Sequence, residues 1–294
     1  MIQLGPELII SAILNGLSIG MMLVIGALGL AMIFGLMHIA NFAHGNFFAL
    51  GAYMAYSVFL YTNNFYLVIP LSFLSVVVVG LILEPTLLRR LYDRPVVDSL
   101  IVMFGVLLIT YDIIEMIWGS VGLPFSAPPE LSGAISFGII EYPAYRIFQI
   151  SASAFVAFFF WLFLKKTEVG LLIRAGVQNR EMVQALGVDI KKVFLIGFSL
   201  AVGIAGLAGV FAAPLMQVFP LMGNDIIIKI FIVVVVGGIG SFRGTVLAGL
   251  ILGFASAFAA LIWPPLADIV IYLLMGVIII AKPGGILGEG EVFG

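Results

Sequence analysis

VQNREMVQALGVDIKKVF, residues Val177 to Phe194, is a short charge-bearing stretch set between two long apolar runs. Arg180, Glu181, Gln184 and Asp189 can share one side of it, while Met182, Val183, Leu186 and Val188 offer apolar contacts. Gly187 suits a helix C-terminus, because glycine reaches the left-handed conformation without steric cost. Nearly everything around the stretch reads as membrane. A polar helix in that setting predicts a docking surface for a soluble partner, and an ordinary solvated connector is the plainer alternative.

The surrounding composition fixes the class. Of 294 residues, 63% are hydrophobic and only 10% charged, against roughly 25% charged in ordinary soluble domains. The mean hydropathy is +1.26. There is too little polar surface to cover a water-soluble globule of this size, so the chain is read as one integral membrane domain, residues 1–294. The 13 Lys and Arg are grouped in loops, and no basic stripe of the kind that binds nucleic acid is present. With no cysteine, disulfides, thiolate metal sites and cysteine nucleophiles are all excluded. No Lys or Arg precedes the first apolar run, which predicts a retained span rather than a cleaved signal peptide.

A helix needs about 20 apolar residues to cross roughly 30 Å of hydrocarbon. Nine runs qualify as candidates: Leu8–Gly35, Asn46–Tyr61, Leu67–Leu87, Leu100–Trp118, Ile147–Leu164, Val193–Ala213, Ile226–Ile239, Thr245–Trp263 and Leu266–Ala281. The fold class expected is therefore all-α, a polytopic transmembrane helical bundle of eight or nine spans with room for broken or half helices. The first run is too long for one straight crossing and is expected to tilt or to break at its glycines. The seventh ends in Gly237-Gly238-Ile239-Gly240, where unwound backbone has to face protein or water rather than lipid. Arg89, Arg90 and Arg94 form one basic loop, residues 165–192 a second, and Arg243 and Lys282 follow later spans. Two spans separate each group from the next, so all fall on one face, which the positive-inside rule makes cytoplasmic. The N-terminus is then outside and the C-terminus inside. The exceptions are Arg146, in the external loop 119–146, and Lys229, placed at an outer helix end near Asp225 with its ammonium reaching the headgroups. The Pro- and Ser-rich LPFSAPPELSG part of that loop is expected to be irregular. Small residues four apart, Gly16/Gly20 and Gly249/Gly253 among them, predict close helix–helix approach.

Ionisable and amide groups inside spans carry a functional hypothesis. Asp112 and Glu115 share a helix face, either as a proton-coupling pair or as interfacial residues beside Trp118. Asn15, costly in hydrocarbon, should face the bundle interior or a translocation pathway, and Asn41, His44 and Asn46 are the other pathway candidates. His44 has only His38 as a companion and no carboxylate nearby, so a metal site is not expected. No nucleophile–base–acid set, paired catalytic carboxylates or cofactor fingerprint occurs, and the chain is not read as an enzyme.

TEVGLLIRAGVQNREMVQALGVDIKKVFLIGFSLAVGIAGLAGV resembles the cytoplasmic loop and following span of the permeases of the branched-chain amino acid ABC importer family. The likeness continues through MGNDIIIKIFIVVVVGGIGSFRGTVLAGLILG, the tail KPGGILG and the opening LNGLSIGMMLVIGALGLAMIFGLMHIANFAHGNFFALGAYMA. It covers most of the chain outside the external loop and is closer to the first permease of the pair than to its sister. The resemblance implies a bacterial-type inner-membrane importer of two permeases, two cytoplasmic ATP-binding subunits and an external substrate-binding protein. It also implies a coupling helix over Asn179–Gly187, supplied by Asn179, Arg180, Glu181, Ala185, Leu186 and Gly187. The wider importer signature has Glu-Ala-Ala leading to Gly, whereas here Glu181-Met182-Val183 stands in its place and the glycine comes early. No phosphate-loop sequence is present, so ATP would be used by partner subunits and no cofactor is expected on this chain. The competing functions are an ion-coupled secondary transporter and a passive channel for a small neutral solute. Urea, other amides and aromatic acids stay open as substrates.

Overall fold

The computed structural model describes residues 5–37, 39–92 and 94–288. Eleven α-helices run through them. They are α1 (Pro6–Met37), α2 (His44–Thr62), α3 (Phe65–Thr86), α4 (Val96–Trp118), α5 (Ala144–Lys166), α6 (Glu168–Gln178), α7 (Arg180–Ala185), α8 (Ile190–Ala212), α9 (Met222–Gly237), α10 (Phe242–Ile262) and α11 (Leu266–Ala281). Six of these, α1, α3, α4, α5, α8 and α10, are long and apolar enough to cross a membrane, and α11 is a shorter apolar helix. The chain is a polytopic membrane bundle.

Local chemistry sets many of the boundaries. Asn63 closes α2 in the left-handed conformation at φ 46°, which an amide side chain tolerates better than most. Its neighbour Asn64 then opens α3, its side chain accepting from the amides of Tyr66 at 3.0 Å and Leu67 at 3.3 Å. Thr167 caps α6 through the Gly170 amide at 3.0 Å. Ser241 caps α10 through the Gly244 amide at 3.0 Å. Each side-chain oxygen satisfies an amide that has no partner within its helix. The tail does the same at a C-terminus: the Ile286 and Leu287 amides donate to the Val236 and Gly237 carbonyls at the end of α9.

Helices α1 and α8 form the centre. In each, 83% of the most apolar window is buried inside the chain, against 22% in α3 and α4 and 28% in α5. The latter three therefore hold broad apolar faces outward, as lipid-facing helices do. Between α1 and α10 the small-residue pairs meet each other. A Cβ on Gly253 would run into Gly20, and one on Gly16 would lie 2.9 Å from Phe254 Cα. Absence of side chains lets the two backbones approach, which is how helices gain contact where lipid removes any hydrophobic drive.

The structure refines the sequence reading in three places. Helix α1 is continuous over 32 residues, about 48 Å of helix, and its glycines are used for packing rather than for a break. The external loop, beyond its Pro- and Ser-rich part, forms a hairpin: β1 (Ala134–Ser136) and β2 (Glu141–Pro143) pair antiparallel, Ala134 opposite Pro143. Third, α2 starts inside the bundle. His44 Nε2 donates to the Gly26 carbonyl at 3.0 Å, and Gly26 lies eleven residues before the end of α1, about 16 Å along its axis. The start of α9 meets it there, because a Cβ on Gly45 would run into the Gly223 carbonyl.

Candidate functional site

Helices α6 and α7 carry the segment between the spans α5 and α8. Asn179 ends the first and caps the second, accepting from the Met182 amide at 2.9 Å. Gly187 terminates the turn after α7 at φ +84° with nothing within 4 Å of a would-be Cβ, so the backbone conformation alone calls for glycine there. Val183 faces inward at 5% exposure, while Met182 at 57% and Leu186 at 76% stand out from the surface. Glu181, Gln184, Ala185 and Gly187 are exposed beside them. The result is a small mixed surface, two apolar side chains flanked by a carboxylate and an amide. It lies at the end of the bundle where Arg89, Arg90, Lys165, Lys166, Lys191 and Lys192 also lie.

Arg180 is placed differently from its neighbours. Its guanidinium turns back onto the bundle, Nη1 donating to the Tyr92 carbonyl at 3.2 Å. It also lies 5.7 Å from the Tyr92 ring centroid and 5.3 Å from that of Phe194, within the reach of cation–π attraction. Those two rings meet edge to face at 4.7 Å. The Tyr92 hydroxyl in turn donates to Glu84 Oε1, a fully buried carboxylate at the end of α3. Arg89 neutralises it, Nη2 to Oε2 at 2.8 Å and Nε to Oε1 at 3.3 Å. A buried carboxylate is tolerated only when paired and hydrogen-bonded, and Glu84 is both. Burial, and after it the bond to Glu84, pushes the Tyr92 hydroxyl well above its ordinary pKa, so it remains a donor. Glu84, Arg89, Tyr92 and Phe194 thus form a brace from α3 and α8 to α7. Sequence reading missed it, because residues 84–92 lie far along the chain from Arg180 and Phe194. The one available signal was Glu84 near the end of an apolar run.

The four pathway candidates do not come together. Asn15 lies at the end of the molecule opposite the brace, its Oδ1 accepting from the Tyr142 hydroxyl at 3.1 Å and from Arg146 Nη1. Asn41, His44 and Asn46 are buried within the chain at the start of α2. Asn46 Nδ2 donates to the Leu107 carbonyl at 2.5 Å, and His44 to Gly26 as above, which ties α2 to α4 and α1. Both side-chain polar atoms of Asn41 lack a partner among the described residues. His38 lies outside the described residues. No group of three or more metal-ligating side chains occurs among the described residues. Of the proposed proton pair, Asp112 is exposed and Glu115 half-buried on α4, which favours the interfacial reading. Lys229 does not extend to the headgroups as expected: its ammonium pairs with Asp268 of α11 at 2.7 Å.

The model of a family described as "Branched-chain amino acid transport system / permease component" matches residues 12–279. A high-affinity branched-chain amino acid transport system permease protein, BraD, of Pseudomonas aeruginosa is 28% identical, with 95% of this chain and 96% of that protein covered. LivH of Escherichia coli strain K12, described in the same words, is 26% identical over 95% of both chains. A probable branched-chain amino acid transport permease LivH of Methanocaldococcus jannaschii is 27% identical over 80% of this chain and 76% of its own. No solved structure matches. A bundle of apolar spans with an exposed helix between two of them, and a family match over most of its length, mean that this chain belongs to the permease components of branched-chain amino acid transport systems.

Proposed function

We propose that this permease serves an ATP-driven importer for branched-chain or closely related amino acids, and that α7 is the element through which ATP hydrolysis on partner subunits reaches the membrane. The observation that carries the proposal is the display of Met182 and Leu186 beside Glu181, on a helix too short to stand alone. Two exposed apolar side chains with a flanking carboxylate match the anatomy of a small interface, apolar at its centre and polar at its rim. Asn179 caps the helix, Ala185 permits close approach, and Gly187 turns the chain back toward α8. Arg180 acts from behind, holding α7 against Tyr92 and Phe194. The partners are two cytoplasmic ATP-binding subunits, a sister permease and an external substrate-binding protein. The basic end of the bundle is then cytoplasmic, the N-terminus of α1 and the β1–β2 hairpin are external, and the C-terminus is cytoplasmic.

The test is co-expression with the ATP-binding subunits, followed by purification and uptake in vesicles. The double substitution Glu181→Trp/Gly187→Trp should reduce ATPase association and abolish uptake without altering expression of the membrane bundle. Normal uptake in that variant would overturn the coupling assignment. Uptake driven by an ion gradient alone and abolished by Asp112→Asn would replace the whole reading with a secondary transporter.

A further inference from the structure

We propose that the hairpin end of the bundle holds a receiving site for an α-carboxylate, with Arg146 as its anion-binding group. A cavity of about 460 Å³ opens there between α1, the start of α5, the segment after α8 and the end of α10. Its size lies in the usual range for small-molecule sites. Leu8, Ile19, Met22, Leu215 and Leu261 give it an apolar wall, and Arg146 is the one charged residue in the lining. Among the described residues that guanidinium has no carboxylate partner. The guanidinium is half-buried beside that apolar wall, where a charge-assisted pair with an arriving carboxylate is stronger than in open water.

The group is also oriented before any ligand arrives. Arg146 Nη1 and the Tyr142 hydroxyl converge on Asn15 Oδ1, and the Arg146 guanidinium lies 6.0 Å from the Tyr142 ring centroid. One nitrogen is thereby held to the wall, leaving the rest of the planar fork for bidentate recognition of a carboxylate. The same contacts explain why an arginine breaks the charge asymmetry of the two faces here.

A second cavity of about 300 Å³ adjoins the first, the two sharing Ile19, Met22 and Met216. Asp225 lines it, together with the Lys229–Asp268 pair. That pair is neutral as a unit, so Asp225 gives this side a net negative charge. A guanidinium on one side, a carboxylate on the other and aliphatic side chains between them complement a zwitterion with an apolar side chain. The naming of an amino acid as ligand rests on the proposed function, whereas the carboxylate site rests on Arg146 and its cavity alone.

The experiment uses the full chain in nanodiscs of phosphatidylcholine, without the substrate-binding protein, and radiolabelled L-leucine as the probe. Binding should saturate, L-valine and 4-methylpentanoate should compete, and leucinol, which lacks the carboxylate, should compete far less. Arg146→Gln should weaken leucine binding about tenfold or more, with Arg146→Lys intermediate. Asp225→Asn should weaken leucine but leave 4-methylpentanoate unchanged, which also guards against loss of folding as the cause. Equal leucine binding by Arg146→Gln, or leucinol competing as well as valine, overturns the site. So does an Arg146 dependence seen only with phosphatidylglycerol in the nanodisc, since the guanidinium would then be a lipid anchor. If 4-methylpentanoate binds through Arg146 and leucine does not, the site stands and the amino acid reading of the proposed function falls. If leucine binds through Arg146 and no ATP-binding subunit associates, the site stands and the importer reading falls.

Discussion

Replacing Tyr92 by Phe removes a single oxygen from the brace behind α7 and leaves its ring in place. The oxygen matters because of where it points. Glu84 is fully buried, and its Oε1 receives the Tyr92 hydroxyl and a 3.3 Å contact from Arg89 Nε. Without the hydroxyl, that oxygen keeps only a bond beyond the usual range of about 2.7–3.2 Å. A hydrogen bond to a charged group contributes about 1.5–3 kcal/mol, and that is the expected loss of stability. The phenyl ring left by the change would still meet Phe194, so the further loss of about 0.5–1.5 kcal/mol from the aromatic pair should appear only in Tyr92→Ala. The assay is equilibrium unfolding of the purified protein in mixed micelles, repeated in a Glu84→Gln background. There the bond has a neutral acceptor, and the loss on Tyr92→Phe should shrink to about 0.5–1.5 kcal/mol. A stability within about 0.5 kcal/mol of the parent, or an identical loss in both backgrounds, would refute the claim that Glu84 depends on this hydroxyl.

Titration of the same tyrosine gives an independent measurement. Its pKa is raised, by burial first and by Glu84 second, while in the unfolded chain it ionises at about pH 10. The folded state therefore binds more protons above that pH, and stability should be fully present below it and fall as pH rises beyond it; Tyr92→Phe should flatten this alkaline slope. Two glycines separate packing from propensity. A Cβ on Gly51 would come within 2.5 Å of Gly206 Cα, whereas one on Gly105 meets nothing within 4 Å. Gly51→Ala should therefore cost most of the monodisperse protein on size exclusion, and Gly105→Ala should gain about 0.5–1 kcal/mol from helix propensity alone. Gly187→Ala meets no obstacle either, but its φ of +84° imposes about 1–2 kcal/mol of strain. The bundle should fold normally, and ATPase association should weaken by about fivefold or more, measured by titration of the ATP-binding subunits.

Much of the bundle was legible in the sequence, for reasons that are local. Long apolar runs report burial in lipid residue by residue, and the spacing of Gly16/Gly20 and Gly249/Gly253 announced close helix approach, though not that α1 and α10 are the helices that meet. The exposed helix α7 was legible because polar residues are conspicuous in such a chain. The start of α2 inside the bundle was not, since a run of apolar residues reads alike whether it begins at the surface or halfway across. Lys229 shows the same limit. Its sequence position near Asp225 points its ammonium to the headgroups, whereas the pairing with Asp268 depends on how α9 lies against α11. The division of labour within Asn179–Gly187 was hidden for the same reason. Arg180 and Glu181 are adjacent and both charged, yet one faces rings from two other segments and the other faces outward.

Helix α8 connects the two ends at which these residues work. Phe194 near its start receives Arg180 and Tyr92, and at its other end the Phe211 carbonyl accepts from the Tyr145 hydroxyl at 3.1 Å. Tyr145 is the residue before Arg146, so the brace and the carboxylate site lie against one helix, about 25 Å apart along its axis. That helix has little freedom to bend locally. Gly203, Gly206 and Gly209 let Phe73, Val76 and the Phe48 carbonyl pack directly on its backbone, and close-packed interiors move as units rather than deforming smoothly. A displacement of α7 should therefore reach the hairpin end as a shift of α8 as a whole. Tyr145→Phe removes the far bond and leaves the near brace intact, yet on this reasoning both it and Tyr92→Phe should raise the ATP hydrolysed per substrate moved. If only Tyr92→Phe changes that ratio, while both variants bind the ATP-binding subunits equally well, then α8 is not the strut and the two ends communicate through α1 instead.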